Sequence, residues 1–212
     1  DRDRVAAMSA ALASRGPDHA GVWVHKGVGL AHRRLSIVDL SESASQPMVW
    51  EDGRYVITFN GEIYNYQALR DELEQGGVRL HSTSDTEIII ALYAREGEKM
   101  LSRLRGMFAL AIWDGPRQQL FFARDRIGKK PFFYTHEAGQ FVFASEIKAL
   151  LSEQSKPSID LQAIRLFFGI QYVPSPWTGF MGIRCLPPAH YGFVQADGSV
   201  SLTRYESYER TG

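Results

Sequence analysis

The chain has 212 residues, of which 44% are hydrophobic and 23% are charged, a composition ordinary for a globular protein of one large domain or two small ones. Lys and Arg together number 24, as do Asp and Glu, so the net charge of zero argues against a nucleic-acid or anionic-membrane partner. The single cysteine, Cys185, cannot form an intrachain disulfide, and no apolar run is long enough for a membrane span. We therefore expect a cytoplasmic protein.

The first sixty residues are predicted to contain one helix followed by strands. An apolar stripe indicates the helix, and the dipeptide Gly16-Pro17 stops it. Strands are indicated by runs rich in β-branched and aromatic residues, namely AGVWVH, VGLAH, LSIVD and RYVITF.

Asn60-Gly61 follows the last of these runs. An Asn-Gly pair in this position is typical of a hairpin, but no second strand comes next. Instead, apolar residues recur at helical spacing until a Gly pair, at Ile63, Tyr66, Leu69 and Leu73. We therefore predict that Asn60-Gly61 joins a strand to a helix. An ordinary turn is the competing interpretation of the dipeptide by itself.

The rest of the chain is predicted to contain two hairpins between helices. A helix opens at Ser84 or Asp85. From Met107 the pattern predicts the antiparallel pairs MFALAIWD with LFFARD and FFYT with FVFAS. The helices SEIKALL and DLQAIRLFFG and strands near FMGIRC, HYGFVQ and SLTRYE follow. This order predicts an α+β architecture with helices packed on antiparallel sheets.

Six segments occur in an order that resembles one family. RGPDHAG at 15–21, RRLSIVD at 33–39, NGEIYN at 60–65 and SDTEI at 84–88 precede GMFALAIWD and RDRIGKKP. Each motif is weak alone, but six in order over nearly the whole chain are specific. They resemble the glutaminase domain of glutamine-hydrolysing asparagine synthetases, which are class II glutamine amidotransferases. The resemblance implies the N-terminal nucleophile hydrolase fold, a four-layer αββα sandwich of antiparallel sheets.

The resemblance also implies a domain organisation and a set of partners. Residues 1–205 correspond to the glutamine amidotransferase domain, and residues 206–212 begin a linker to an ATP-dependent synthetase domain. ATP and Mg²⁺ belong to that second domain, whereas the glutaminase domain needs no cofactor and no metal. The implied partners are L-glutamine and the C-terminal synthetase domain, without nucleic acid or membrane. A homodimer is left open.

The resemblance assigns Asn60 and Gly61 to the oxyanion hole. When a nucleophile attacks the side-chain amide of glutamine, negative charge collects on the carbonyl oxygen, and fixed donors stabilise it. The Asn60 amide and the Gly61 N–H supply two such donors, and a glycine also lets substrate approach the backbone. In the same resemblance, Arg34 binds the α-carboxylate, and Glu62 and Asp85 bind the α-ammonium group. The motif RLSIV lines the glutamine site with Arg34, Leu35, Ser36, Ile37 and Val38.

Structural interpretations compete for each of these residues taken singly. Arg34 is then a solvated residue at a strand end, Glu62 an exposed first-turn residue and Asp85 a helix N-cap. Arg15 and Asp18 of RGPD are expected to support the structure. The scattered histidines, His32 among them, show no zinc-ligand spacing and are expected at surface or satisfied core positions.

The nucleophile that the resemblance implies is an N-terminal cysteine whose own α-amino group acts as the base. An α-amine has a reference pKa of about 8 and a thiol one of about 8.5, so the amine can accept the thiol proton near neutral pH. The sequence opens at Asp1 inside the first helix, so we expect the family's first strand and its cysteine to be missing from this chain. Cys185 is interpreted as a small buried hydrophobic residue. We therefore expect this chain to be inactive as a glutaminase.

The leading hypothesis is hydrolysis of L-glutamine to glutamate and ammonia, which an attached domain uses to convert aspartate to asparagine. A second hypothesis is an amidotransferase domain that serves another carboxylate acceptor. RRLSIVD argues against sugar-phosphate and phosphoribosyl acceptors. The amidotransferase families that serve those acceptors carry a segment like TRWATHG at this position. A third hypothesis is a degenerate domain that binds glutamine without catalysis.

Overall fold

The computed structural model describes residues 1–34, 45–153 and 156–207. Along these residues, groups of strands are separated by one or two helices. The helices are α1 (Arg2–Ala10), α2 (Tyr66–Gln75), α3 (Asp85–Glu96), α4 (Ile147–Leu151) and α5 (Leu161–Ile170). The strands are β1 (His19–His25), β2 (Val28–Arg34), β3 (Met48–Trp50), β4 (Tyr55–Ile63), β5 (Gly106–Asp114), β6 (Gln119–Arg124), β7 (Phe133–Glu137), β8 (Gln140–Ala144), β9 (Arg184–Cys185), β10 (His190–Val194) and β11 (Val200–Arg204).

The largest sheet has six strands in the order β11-β10-β6-β5-β4-β3, and every neighbouring pair in it is antiparallel. β4 and β5 pair along their whole length, from Tyr55 opposite Asp114 to Ile63 opposite Gly106. The sheet is covered on both faces, which explains why β5 is a nearly continuous apolar run. The two hairpins predicted from the sequence, β5 with β6 and β7 with β8, are confirmed.

Four layers are built around this sheet. Helices α2 and α3 cover one face, where residues such as Ile88 are fully buried. Two smaller sheets, β1-β2 and β8-β7-β9, cover the other face, where Phe122 packs. Helices α1 and α4 lie outside the smaller sheets and pack around Leu150. The order helix, sheet, sheet, helix confirms the predicted α+β sandwich.

Stacked aromatic rings join the two sheet layers. The ring centroid of Phe122 on β6 lies 5.3 Å from that of Phe132 and 4.8 Å from that of Phe141 on β8. Burying a side chain of this size stabilises a fold by about 1.5–3 kcal/mol. These contacts fix the separation of the two layers on either side of the cavity described below.

The C-terminal quarter of the chain belongs to the same layers. β10 pairs with β6 in the large sheet, and β9 pairs with β7 through Cys185 opposite Phe133. The loop RDRIGKKP is organised by the fully buried Asp125, which accepts hydrogen bonds from the backbone N–H groups of Phe108, Lys129 and Lys130 at 2.8–3.1 Å.

None of the helices in residues 1–34, 45–153 and 156–207 has the length and apolar character needed to cross a bilayer.

The prediction for Asn60-Gly61 is wrong in one respect. β4 continues through both residues to Ile63, and α2 begins only at Tyr66. The pair therefore lies inside a strand, because β5 keeps pairing with β4 as far as Ile63. β3 was not predicted, since three residues are too few to show an alternating pattern. The predicted strand LSIVD lies entirely outside the described residues.

Candidate active site

The side chain of Asn60 faces the space between the two sheet layers. Side chains alternate along a strand, and Val56 on β4 packs in the core between the sheets, so Asn60 lies on that same face. It lines a cavity of about 460 Å³. Within the described residues its side chain has no hydrogen-bond partner. The amide is therefore available to a group that enters the cavity.

The backbone N–H of Gly61 points to the open edge of β4. β3 pairs with β4 only as far as Ile57, where Met48 is its partner. Beyond that point the N–H groups of Phe59 and Ile63 both donate to side chains at this edge. Residues two apart in a strand direct their N–H groups to the same side. Gly61 lies midway between Phe59 and Ile63, so its N–H reaches the edge directly beside Asn60.

Position 61 requires glycine because β4 and β5 approach closely there. A Cβ on Gly61 would lie 2.2 Å from the carbonyl oxygen of Met107 and 2.8 Å from the Cα of Phe108. Any larger residue would push the two strands apart. Glycine is thus required at this position because the strands pack closely, and the sequence did not reveal this reason.

Asp85 and Glu62 come together where β4 ends and α3 begins. Asp85 Oδ2 accepts a hydrogen bond from the Ile63 N–H at 3.0 Å. Burial raises the pKa of Asp85, and the nearby charge of Glu62 adds to the increase. A cation close to both carboxylates would relieve this repulsion. The N-cap of α3 is Ser84, whose hydroxyl accepts from the Thr86 N–H, so the interpretation of Asp85 as the N-cap is wrong.

Arg34 ends β2, and the motif RGPD lies against its backbone. The Asp18 N–H donates to the Arg34 carbonyl oxygen at 3.1 Å. A Cβ on Gly16 would lie 2.4 Å from the carbonyl carbon of Arg33, so only glycine fits there. Arg15 forms an ion pair with Glu146 at 3.1 Å. The remaining predicted residues of the motif RLSIV lie outside the described residues: Leu35, Ser36, Ile37 and Val38.

Cys185 lies in a different sheet from Asn60 and Gly61. It lies half buried on β9, where the Arg124 guanidinium donates to Sγ at 3.1 Å. Burial raises the pKa of the thiol. The cavity beside Asn60 is not lined by Cys185. In the described part of the chain, no group of three or more His, Cys, Asp and Glu side chains is arranged to hold a metal ion.

Sequence reasoning missed two residues that contact β4 next to Asn60. Gln46 Oε1 accepts a hydrogen bond from the Phe59 N–H at 2.6 Å, and His32 Nε2 lies 3.1 Å from the Phe59 carbonyl oxygen. His32 was expected at a surface or satisfied position, but its Nδ1 is buried without a partner among the residues described. Neither residue has a spacing that indicates such a contact. The only local signal is the polar loop that ends at Gln46.

The fold defines the class of protein. A solved structure described as glutamine phosphoribosylpyrophosphate (PRPP) amidotransferase from B. subtilis superposes with a TM-score of 0.60 at 20% identity, covering 84% of this chain and 35% of that one. The N-terminal nucleophile hydrolase fold that the sequence predicts is thus confirmed. The profile of the family described as glutamine amidotransferase domain matches residues 1–206, and the chain belongs to this family.

Relatives with similar sequences are much longer than this chain. Asparagine synthetase [glutamine-hydrolyzing] 1 of Bacillus subtilis (strain 168) is 40% identical over 198 residues, which cover 93% of this chain and 31% of that protein. Amidase chry2 of Gibberella zeae is 39% identical over 182 residues, covering 85% of this chain and 26% of that protein. The chain thus spans less than a third of the length of these two relatives. The resemblance to the glutaminase domain of asparagine synthetases is confirmed.

Proposed function

We propose that this domain hydrolyses L-glutamine to glutamate and ammonia with Asn60 and Gly61 as the oxyanion donors. The observation that carries the proposal is the adjacency of two available donors on β4. The Asn60 amide faces the cavity without a partner among the described residues, and the Gly61 N–H points to the adjoining edge. Attack on the glutamine amide places negative charge on its oxygen, and such fixed donors stabilise that charge in the transition state.

The charged groups around β4 suit the amino-acid end of glutamine. A free α-carboxylate and α-ammonium group require a cation and an anion at separate places. Arg34 at the end of β2 provides the cation. Asp85 and Glu62, whose charges already interact at the end of β4, provide the anions. We therefore assign substrate recognition to these three residues.

The nucleophile is an N-terminal cysteine that reaches Asn60 through the cavity. Asp1 and Asn60 line the same cavity, which supports the placement of a segment attached to Asp1 beside Asn60. The thiol attacks the amide carbon of glutamine, and its own α-amine takes the thiol proton and returns it to the departing ammonia. Water then hydrolyses the thioester, which yields glutamate and regenerates the thiol.

A second domain, which uses ATP and Mg²⁺, binds the substrate that accepts the ammonia. The name of the Bacillus subtilis relative supports aspartate as the acceptor and asparagine as the product. The Gibberella zeae relative is named as an amidase and not as an asparagine synthetase, so we keep another carboxylate acceptor as a second candidate. ATP-dependent assays of the full-length protein with aspartate and with other carboxylates distinguish these two acceptors. Both candidates use the same glutaminase site.

An exposed apolar surface supports the presence of a partner domain. Nine of the thirteen large hydrophobic side chains that are exposed in the described residues lie between positions 159 and 181, which we call the α5 surface. That range contains only two charged residues, Asp160 and Arg165. Such a surface is typical of a permanent interface. Since the relatives are about three times as long as this chain, we assign it to contact with the synthetase domain.

The test of hydrolysis uses a longer protein. In it, the native segment attached before Asp1 is present and begins with cysteine. We expect ammonia release from glutamine without ATP, because the reaction needs only the thiol, the amine and the oxyanion donors. The matched control replaces the first cysteine by alanine, and the 212-residue chain serves as a second control. Both controls should be inactive. A folded protein with the N-terminal cysteine that releases no ammonia would overturn the proposal.

A further inference from the structure

The edge of β4 beside Asn60 is held by side chains in place of a neighbouring strand. After Ile57 the described residues offer β4 no strand on this side. Buried backbone groups require hydrogen-bond partners. Gln46 supplies the acceptor for the Phe59 N–H at 2.6 Å, and His32 Nε2 lies 3.1 Å from the Phe59 carbonyl oxygen. Two side chains from different segments therefore fix the residue that precedes Asn60.

Gln46 is itself fixed on two sides. Its Nε2 donates to the hydroxyl of Thr86, in the first turn of α3, at 3.2 Å. A Cβ on Gly21 of β1 would lie 2.0 Å from the Gln46 carbonyl oxygen, so the backbone of Gln46 packs directly on β1. A side-chain amide can accept from an N–H and donate to a hydroxyl at the same time. Gln46 thus connects β1, β4 and α3 at one point.

His32 approaches the same peptide group from β2. A carbonyl oxygen only accepts, so Nε2 carries the proton and donates it to Phe59. Burial lowers the pKa of His32 to about 4, and the charge of Arg34 adds to the decrease, so the ring is neutral at pH 7. Its Nδ1 is then a buried acceptor without a donor in the described part of the chain. Such a group costs stability, which argues against a purely structural role.

The two donors of the oxyanion hole lie between fixed points. Gln46 and His32 hold Phe59 on one side, and Asp85 holds the Ile63 N–H on the other at 3.0 Å. A displacement of about 1 Å in an active site can reduce the rate by about 10². Any loosening at Phe59 moves the neighbouring Asn60 amide and the Gly61 N–H together.

We propose that Gln46 and His32 are positioning residues that set the geometry of the oxyanion donors by holding the Phe59 peptide group. The proposal rests on the proposed glutaminase function of this domain. It predicts a loss in kcat rather than in glutamine affinity, because the oxyanion forms only in the transition state.

The first test compares three variants of the longer protein that begins with cysteine. Gln46→Met removes both side-chain hydrogen bonds at similar volume, and we expect kcat to fall by about tenfold or more while KM for glutamine stays within about twofold. His32→Leu should behave in the same way, whereas His32→Gln keeps a donor for Phe59 and should recover most of the rate. The outcome that overturns the proposal is an unchanged kcat, or an increase in KM alone.

The control is Tyr93→Phe, which removes the hydrogen bond from Tyr93 to Asp114 at 3.2 Å near the far end of β4. It should lower thermal stability without lowering kcat. Equal rate losses in Tyr93→Phe and Gln46→Met would reduce Gln46 to a stability role and contradict the proposal.

The second test does not depend on catalysis. In the 212-residue chain, amide hydrogen exchange of residues 59–63 should accelerate in Gln46→Met and in His32→Leu, whereas exchange in β6 should not change. Unchanged exchange at 59–63 would show that the two side chains do not hold this edge. If the edge loosens but the parent protein lacks glutaminase activity, the proposed function fails separately from the structural role.

Discussion

The open edge of β4 and the α5 surface differ in whether their exposed groups find partners within this domain. At the edge, the N–H groups of Phe59 and Ile63 donate to side chains of this same domain. On the α5 surface, Phe168 is 76% exposed and Leu161 is 69% exposed. Polar groups are thus organised internally at the first region, whereas apolar groups at the second face outward. The contrast indicates a site completed around β4 and a surface that another domain covers.

This difference separates two kinds of effect. Substitutions around β4 should change glutamine hydrolysis even when no second domain is present. Substitutions on the α5 surface should leave hydrolysis unchanged and alter only what depends on the second domain.

Asn60→Ala should lower kcat for glutamine hydrolysis by about 10² to 10³ in the protein that begins with cysteine. The loss of one oxyanion donor has an effect of this size because it stabilises only the transition state. KM should change little. Steady-state ammonia release checks the prediction, with Gln195→Ala as a control, since Gln195 carries the same amide just beyond β10 and does not line the cavity. A change confined to KM would contradict the oxyanion role.

His32 should make the free energy of unfolding depend on pH in a defined window. Its pKa is about 4 in the folded protein, against an ordinary value of about 6.5 in the unfolded chain. The unfolded state therefore binds more protons between these values. Stability is complete above pH 6.5 and falls by up to about 3 kcal/mol as the pH decreases to 4.

Urea unfolding at pH 7 and at pH 4.5 measures this loss. Burial also raises the pKa of Asp85, so the comparison is between the wild type and His32→Gln. The variant should lose clearly less stability than the wild type over the same interval. Equal losses would mean that His32 is protonated in the folded state.

The confirmed hairpins and the start of α3 could be predicted from the sequence because their signals are local. Short apolar runs separated by a polar turn define β5 and β6, and Ser84 lies directly before the helix that it caps. The position of Asn60-Gly61 inside β4 could not be predicted in this way, because it depends on pairing with β5 more than forty positions later. Local helical spacing was the stronger pattern in that segment, and tertiary pairing overrode it.

The residues of the candidate site likewise fall into those that the sequence indicated and those that it did not. The roles of Asn60, Gly61, Arg34, Glu62 and Asp85 came from the family resemblance and remain predictions. The contact of Gln46 with Phe59 joins residues 13 positions apart with β3 between them, so no local sequence pattern indicates it. The buried Nδ1 of His32 is likewise a consequence of how two sheets stack.

Arg34→Ala should raise KM for glutamine by about 10- to 100-fold with a smaller effect on kcat. A charge-assisted hydrogen bond to the α-carboxylate contributes about 1.5–3 kcal/mol, and it is present in the ground state and the transition state alike. Arg204→Ala is the matched control, because Arg204 also ends a strand, bonds the carbonyl oxygen of Glu206 at 2.8 Å and does not line the cavity. The assignment fails if Arg34→Ala leaves KM unchanged, or if a glutamine ester loses as much affinity as glutamine.

Phe168→Ser on the α5 surface should have the smallest effect, a change in the free energy of unfolding of the 212-residue chain within about 0.5 kcal/mol. The reason is that its side chain is 76% exposed and gives up little burial on this domain. Ala163→Leu is the contrasting variant on the same helix, since Ala163 is only 1% exposed, and overpacking there should cost about 1–3 kcal/mol. In the full-length protein, Phe168→Ser should reduce glutamine-dependent amidation, while glutamine hydrolysis and amidation with added ammonia persist, because only the contact between domains is weakened. A loss of more than about 1 kcal/mol in the isolated chain would instead mean that Phe168 stabilises this domain itself, and the α5 surface would no longer be evidence for a partner.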